Sequence, residues 1–501
     1  MPMNHILPLM VAIPLGMSVV ILLLTKISSR FADILAPLTI LITAGMSFYM
    51  LGTAKFAYWM GGWFPPFGIT LVYDGLSALL LVIVNAIAFL TIFYSISYME
   101  KYTAKPKFYS LFLLMVAGMN GVVITGDLFN LFVFLEIASI ASYALVGFGV
   151  EHKELEASFK YLILGSVAST MILLGIALTY AITGTLNMAD AALMLQSLPV
   201  TKTMAFATAV FIMGFALKSG LVPFHAWLPD AHPSAPAPVS AMLSGVLIKA
   251  IGVYAMIRVV FNVLGATHVH LEIMVVLGAL SMVVGGFLAV GQFDLKRMLA
   301  YSSISQIGYV VLAFGLGTNI GFVAGLFHMF NHSIFKSLLF LSSGSIEHST
   351  GTKNLRKLGG LGTKLPVTSV TTLTGALSIS GVPPFNGFFS KLLIIIACVA
   401  SGRWFLAALA AGVSVVTLIY FLKAMRFSIF GELPKALEKI KEVPFPMAFS
   451  VIVLSVLCLA VGIAYLICPD FGDFFLQPAA NVLMDGLKNN SAEYISTVLG
   501  G

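Results

Sequence analysis

Apolar runs of about 20 residues follow one another along almost the whole of this 501-residue chain. That is the length a helix needs to cross a bilayer core, at about 1.5 Å of rise per residue. A membrane β-barrel would instead show short segments that alternate polar with apolar. Only 9% of the residues are charged and 59% are hydrophobic, too few polar groups to cover a water-soluble protein of this size. The expected fold is an all-α polytopic membrane protein built as one helical bundle. The first run lacks a basic leader and a cleavage site and reads as a permanent span. Cys398, Cys458 and Cys468 show no C-x-x-C spacing, which points to neither a disulfide framework nor an iron–sulfur site. The net charge of +7 is spread over short loops, so nucleic acid is not an expected partner.

Fourteen spans are expected, at 4–24, 31–52, 73–98, 108–125, 129–149, 157–183, 202–229, 236–262, 271–292, 296–316, 320–346, 365–399, 404–430 and 446–468. Loops after odd-numbered spans carry fifteen Lys and Arg; the other loops and the tails carry four, namely Lys55, Lys202, Arg403 and Lys488. The positive-inside rule then places the odd loops in the cytoplasm and both termini on the outer side.

Two of these spans are interrupted by the same phrase. Ser219–His225 reads S-G-L-V-P-F-H and Ser380–Asn386 reads S-G-V-P-P-F-N, with Lys218 and Lys391 close by. Glycine and proline break helices, and lysine avoids hydrocarbon. The two breaks fall in spans seven and twelve, five apart, so they cross the membrane in opposite directions. This implies an inverted repeat. The expected division is 1–107 (spans 1–3), 108–262 (first five-helix repeat), 271–430 (second, inverted) and 446–501 (span 14 and a short tail).

Ionisable residues inside the spans are candidates for ion handling. Glu136 lies in L-F-N-L-F-V-F-L-E-I-A-S-I, Lys218 beside the first break, and Lys249 in S-G-V-L-I-K-A-I-G. A fixed structural ion pair and a separable protonation switch both fit. The switch is preferred, because three acid–base groups on nearby spans are a costly way to join helices. His328, His332 and Lys336 recur at four-residue intervals on one helix face, a row suited to proton relay. Structural hydrogen bonding and metal binding are the competing readings. No H-E-x-x-H and no third ligand accompany the histidines, so neither metal nor other cofactor is expected. Lys391 reads as a terminal proton site and His225 as a secondary relay group. Asp74 reads as interfacial, and Asp230 and His232 as helix-end caps.

Five motifs carry a family resemblance: A-L-K-S-G-L-V-P-F-H-A-W-L-P-D-A-H-P-S-A-P-A-P-V-S-A (216–241), G-D-L-F-N-L-F-V-F-L-E (126–136), L-A-Y-S-S-I-S-Q-I-G-Y (299–309), F-H-M-F-N-H-S-I-F-K (327–336) and G-V-P-P-F-N-G-F-F-S-K (381–391). Over roughly residues 70–430 the chain resembles the proton-translocating antiporter-like subunits of respiratory complex I, Mrp-type Na+/H+ antiporters and membrane-bound hydrogenases. The resemblance implies fourteen helices in two inverted five-helix repeats, with helices 7 and 12 broken. It matches Glu136 and Lys218 to the coupled acid–lysine pair, Lys249 to the central lysine, His328 and His332 to the central histidines, and Lys391 to the terminal basic site. Lysine at that last position leans toward the D-type subunit of Mrp antiporters. The expected function is a proton-translocating subunit, not itself an enzyme, of a multi-subunit cation/proton antiporter in the cell membrane. Its partners would be other membrane subunits, H+ and Na+. A subunit of a hydrogenase or quinone oxidoreductase complex is the first alternative, and a stand-alone solute transporter the second. No cluster of acidic oxygen ligands marks a sodium path.

Overall fold

The computed structural model describes residues 5–28, 30–199, 201–468 and 470–500. Nearly all regular structure is helical, as hydrocarbon demands of a backbone that must satisfy its own hydrogen bonds. The first helices are α1 (Ile6–Leu24), α2 (Arg30–Met50), α3 (Gly75–Tyr98), α4 (Lys105–Ile124), α5 (Leu128–Val146) and α6 (His152–Thr183). Next come α7 (Met188–Ser197), α8 (Lys202–Ser219), the short α9 (Leu228–Ser234) and α10 (Ala237–Val263). The second half holds α11 (His268–Val290), α12 (Leu295–Gly315), α13 (Asn319–Thr350), α14 (Pro366–Ser380), α15 (Asn386–Ala400), α16 (Trp404–Ser428) and α17 (Phe445–Ile467). One small antiparallel hairpin, Phe56–Trp59 against Thr70–Tyr73, joins α2 to α3 with Phe56 opposite Tyr73.

Among the described residues eleven helices are long and apolar enough to cross a membrane: α1–α6, α10–α12, α16 and α17. The three other expected positions hold helices of a different make. The helix α8 stops at the first break, α13 carries histidines, asparagine and lysine along its length, and α14 and α15 flank the second break. Burial separates centre from periphery. The most apolar stretch of α10 is wholly buried and that of α12 is 94% buried, whereas those of α1, α16 and α17 are 33% buried and face outward. The candidate groups on α10 and α13 therefore sit along the centre.

Both breaks use one device. Gly220 and Gly381 have φ of 68° and 79°, a conformation that glycine adopts without a Cβ clash. Each ends its helix with a backbone bond that skips a turn, Leu221 N to Ala216 O at 2.9 Å and Val382 N to Leu377 O at 3.1 Å. The breaks differ on their far side. The chain resumes as the seven-residue α9 after the first and as the fifteen-residue α15 after the second.

A second matched pair escaped the sequence reading. Thr183-Gly184-Thr185-Leu186-Asn187 ends α6, and Thr350-Gly351-Thr352-Lys353-Asn354 ends α13. Each asparagine bridges to an aspartate that caps a neighbouring helix, Asn187 to Asp127 of α5 and Asn354 to Asp294 of α12. The T-G-T-x-N string was visible in the sequence, but it falls at helix ends rather than among the charged residues. The tail is also more than an appendage. It forms α18 (Asp470–Phe475), α19 (Gln477–Lys488) and α20 (Ala492–Leu499). Asn262 of α10 donates to Val482 O at 2.9 Å, and Asp485 accepts from the Glu493 and Tyr494 amides at 3.1 Å each.

Candidate functional site

The first cluster forms where α5, α6 and α8 meet. Lys218 Nζ lies 3.5 Å from Glu136 Oε1 and is nearly inaccessible, while the glutamate side chain is 26% exposed. The ammonium also donates to Ser139 Oγ at 2.9 Å and Tyr143 OH at 3.3 Å. Ser169 of α6 donates to the same carboxylate oxygen, Glu136 Oε1. Tyr143 stands edge-on to Tyr161, which stacks on Trp227 beyond the break at 4.2 Å. A Cβ on Gly165 would meet the Tyr143 hydroxyl at 1.9 Å, so this glycine makes room for the lysine's neighbour. The coupled pair that the sequence suggested is in contact.

Lys249 lies on α10, fully buried. It donates to Ser244 O at 2.7 Å and Gly245 O at 2.6 Å, one turn back on its own helix. Over Leu243–Tyr254 this helix is wound as π-helix, with wider turns than an α-helix, and the lysine bonds to second lone pairs of its own helix carbonyls. Lys336 on α13 is held in the same manner, by Leu299 O at 2.7 Å and Ser302 Oγ at 3.0 Å from α12. The two histidines of α13 precede Lys336 by one and two turns on the same helix. His328 shares hydrogens with Ser390 Oγ at 3.0 Å and Gln306 Oε1 at 3.1 Å. His332 has its ring centroid 6.4 Å from that of His328, and neither of its ring nitrogens has a protein partner among the described residues. Lys391, on α15 just past the second break, donates to Ser414 Oγ at 3.3 Å and lies 5.2 Å from the Tyr309 ring centroid. Ser414 in turn donates to Ser380 O, the last helical residue before the break.

Among the described residues only Lys218 of these four lysines has a carboxylate within 4 Å. The other three are held by carbonyl and hydroxyl oxygens. Such oxygens accept from an amine in either protonation state, since both keep N–H donors. The arrangement can therefore take up and release protons without losing its hydrogen bonds. His225 stays apart: it sits half-buried in the first break with its carbonyl accepting from Leu228 N. No hydrogen bond or ion pair ties it to the row among the described residues. No group of three His, Cys, Asp or Glu is placed to hold a metal among them either.

Sequence reasoning missed three features. His232 is not a helix-end cap. It is fully buried, stacked on Phe340 at 4.7 Å, and without a partner for either ring nitrogen among the described residues. Lys336 lies 5.7 Å from the same Phe340 ring. Nearby, a cavity of about 590 Å³ is lined by Lys101, Glu154, Asp230, Lys296, Glu347 and Lys353. Two of its lining residues, Lys296 and Glu347, pair at 2.7 Å. At the other end Arg258 of α10 forms a two-pronged pair with Asp74, at 2.7 and 2.9 Å. Asp74, at the start of α3, is thus a buried ion-pair partner as well as a helix cap. Burial pushes its carboxyl up, but the Arg258 guanidinium and Ser77 outweigh this and hold it below its ordinary value. Arg258 gave little signal, being one cation in an apolar run.

Comparison with known proteins bears on the same residues. The family described as "NADH:quinone oxidoreductase/Mrp antiporter, TM" matches residues 125–417, and the one described as "NADH-Ubiquinone oxidoreductase (complex I), chain 5 N-terminus" matches 63–109. The chain is 35% identical to NADH-quinone oxidoreductase subunit N of Desulforudis audaxviator, over 86% of this chain and 88% of the relative. It is 34% identical to the D subunit of the Na(+)/H(+) antiporter of Alkalihalophilus pseudofirmus, again over 86% of this chain and 88% of the relative. A chain in the structure of the Mrp complex from Dietzia sp. DQ12-45-1b superposes with a TM-score of 0.89 at 29% identity, covering 100% of both chains.

Proposed function

The chain belongs to the NADH:quinone oxidoreductase/Mrp antiporter family of membrane subunits, and from that premise we propose that it is the D-type proton-translocating subunit of a multi-subunit Na+/H+ antiporter. The observation that carries the reading is the row of buried bases. Lys218, Lys249, Lys336 and Lys391, with His328 and His332 among them, lie on α8, α10, α13 and α15, and only the first has an acid partner among the described residues. Glu136 and Lys218 form the coupling end, Lys249 and the histidines the centre, and Lys391 the terminal exchange site. A proton moves along the row as charge at one group alters the proton affinity of the next. The cavity lined by Lys296, Glu347 and Lys353 is the proposed water entry, because Lys296 lies one turn before Leu299, whose carbonyl holds Lys336.

Two structural assignments belong to this proposal. The chain crosses the membrane fourteen times, with α4–α10 and α11–α16 as inverted repeats; the twin glycine breaks and twin T-G-T-x-N bridges support it. Both termini lie outside the cell membrane, supported by the basic loops at the opposite end. A C-terminal epitope accessible to antibody on intact cells is the expected result; one reached only after permeabilisation overturns the orientation.

The relay is tested by changing Glu136, Lys218 and Lys391 singly to alanine in the intact complex and following Na+ and H+ flux. Loss of coupled flux with normal assembly is expected. Normal transport by all three variants would sink the assignment. The identity to subunit N of a quinone oxidoreductase favours a second reading, in which the same row is driven by redox partners. Co-purification with subunits carrying flavin, nickel or iron–sulfur centres would select it. A stand-alone solute transporter would transport without any partner.

A further inference from the structure

The basic end of the bundle carries a cation cluster that the relay does not use. Phe293 leads from α11 into α12. The Arg356 guanidinium carbon lies 3.9 Å from its ring centroid and Lys423 Nζ lies 4.6 Å from it. Two like charges are thus held against one ring. Arg426 follows Lys423 by three residues on α16 and is exposed. None of these three cations has an acid partner within 4 Å among the described residues. The carboxylate next to Phe293, Asp294, accepts from Arg297 N at 3.0 Å as a helix cap.

The backbone fixes the cluster in place. Asn354 accepts from Arg356 N at 3.0 Å and holds the turn that presents the guanidinium. Lys423 Nζ donates to Gln292 O at 2.6 Å and to Val290 O, the carbonyl end of α11. Stacking occupies the face of the Arg356 guanidinium and leaves its N–H edge free, the edge that pairs with phosphate oxygens. Phe427 meets Phe293 edge-on at 5.8 Å and holds the ring in place. On the hydrocarbon side of this pair Phe287, Leu288 and Leu422 are all exposed.

Unpaired cations beside an apolar flank, at the end of membrane helices, describe a lipid headgroup seat. We infer that Arg356, Lys423 and Arg426 bind the phosphodiester of an anionic phospholipid, whose acyl chains lie along Phe287, Leu288 and Leu422. The lipid's charge relieves the repulsion between the two cations on Phe293. Its chains distinguish it from free phosphate, which would bind the cations without the flank. The inference rests on the membrane setting of the chain and not on which ion it moves.

The test uses the full chain, extracted in detergent, stripped of lipid and offered equal amounts of phosphatidylglycerol and phosphatidylcholine. Native mass spectrometry reads the bound lipid. Preferential retention of phosphatidylglycerol is expected, with apparent affinity falling about fivefold in Arg356→Gln. The same fall is expected in Arg426→Gln, and none in Lys435→Gln, a control on a separate loop. Lys423→Gln also removes a helix cap, so the decision rests on Arg356→Gln, whose side chain makes no hydrogen bond within the described residues. Equal retention of the two lipids would overturn the proposal. So would unchanged phosphatidylglycerol binding in Arg356→Gln, or its full displacement by an equal concentration of inorganic phosphate.

Discussion

At the scale of single residues, the contrast between Lys218 and the other buried lysines explains much of the design. Lys218 shares an oxygen of Glu136 with Ser169, so any change at the glutamate is felt directly by the ammonium. Lys249, Lys336 and Lys391 rest on carbonyl and hydroxyl oxygens instead. The Glu136–Lys218 contact was legible because a carboxylate surrounded by apolar sequence needs a partner, and a lysine beside a helix break is the nearest candidate. The Asp74–Arg258 pair was not legible, because 184 residues separate its members and nothing local links them. It is also the pair whose loss should be felt in stability. Asp74→Ala leaves Arg258 buried and unpaired, and is expected to cost about 3–5 kcal/mol. Thermal unfolding of the purified chain measures this, and a midpoint equal to that of the unaltered protein would contradict it. The sign with pH follows from the depressed carboxyl. Its stabilisation is complete above the ordinary value of 3.8 and is lost as pH falls through the lower folded value. Acid unfolding of Asp74→Ala should therefore depend less on pH below about 4 than that of the unaltered chain.

At the scale of elements, glycines set how helices end and how closely they pass. Gly220 and Gly381 occupy left-handed conformations at the two breaks. Replacing either with alanine is expected to cost about 1–2 kcal/mol, read as a lower unfolding midpoint. A Cβ on Gly220 would also meet Leu228 Cδ1 at 2.6 Å, whereas one on Gly381 would press on Lys391 Cδ at 3.2 Å, so Gly381→Ala should disturb the lysine as well as the fold. Proton flux should fall in that variant beyond what its stability loss explains. Gly165→Ala tests the other end of the row. Its Cβ would displace the Tyr143 hydroxyl from Lys218, so flux should drop while the complex still assembles. Normal flux in Gly165→Ala would show that Tyr143 does not position the lysine. The helix positions were readable from apolar runs, and the breaks from S-G-x-x-P-F. The π-helical winding around Lys249 was not, because α- and π-turns use the same residues and differ only in which carbonyl accepts.

At the scale of the whole molecule, the candidate groups span helices from α5 to α15 yet converge on a centre formed by α10, α12 and α13. The tail helices close one end of that centre. Asp485 draws the start of α20 back against α19, and Tyr494 lies 5.3 Å over the Arg258 guanidinium. Deleting residues 477–501 should therefore lower the unfolding midpoint, and an unchanged midpoint would show that the tail only rests on the bundle. Hydropathy was enough to establish a polytopic helical bundle, the places of its long apolar helices and the titratable residues inside them, and the S-G-x-x-P-F phrases located the breaks. Those properties depend on transfer from water to hydrocarbon, which each segment undergoes almost independently of the others. Which groups touch was decided only by the fold. It gave Lys218 an acid and left Lys336 with carbonyl and hydroxyl oxygens alone. It buried His232 and His332 without partners among the described residues and joined Asp74 to Arg258 across 184 residues of sequence. Contact between side chains far apart in sequence depends on how helices pack, and no local pattern encodes that.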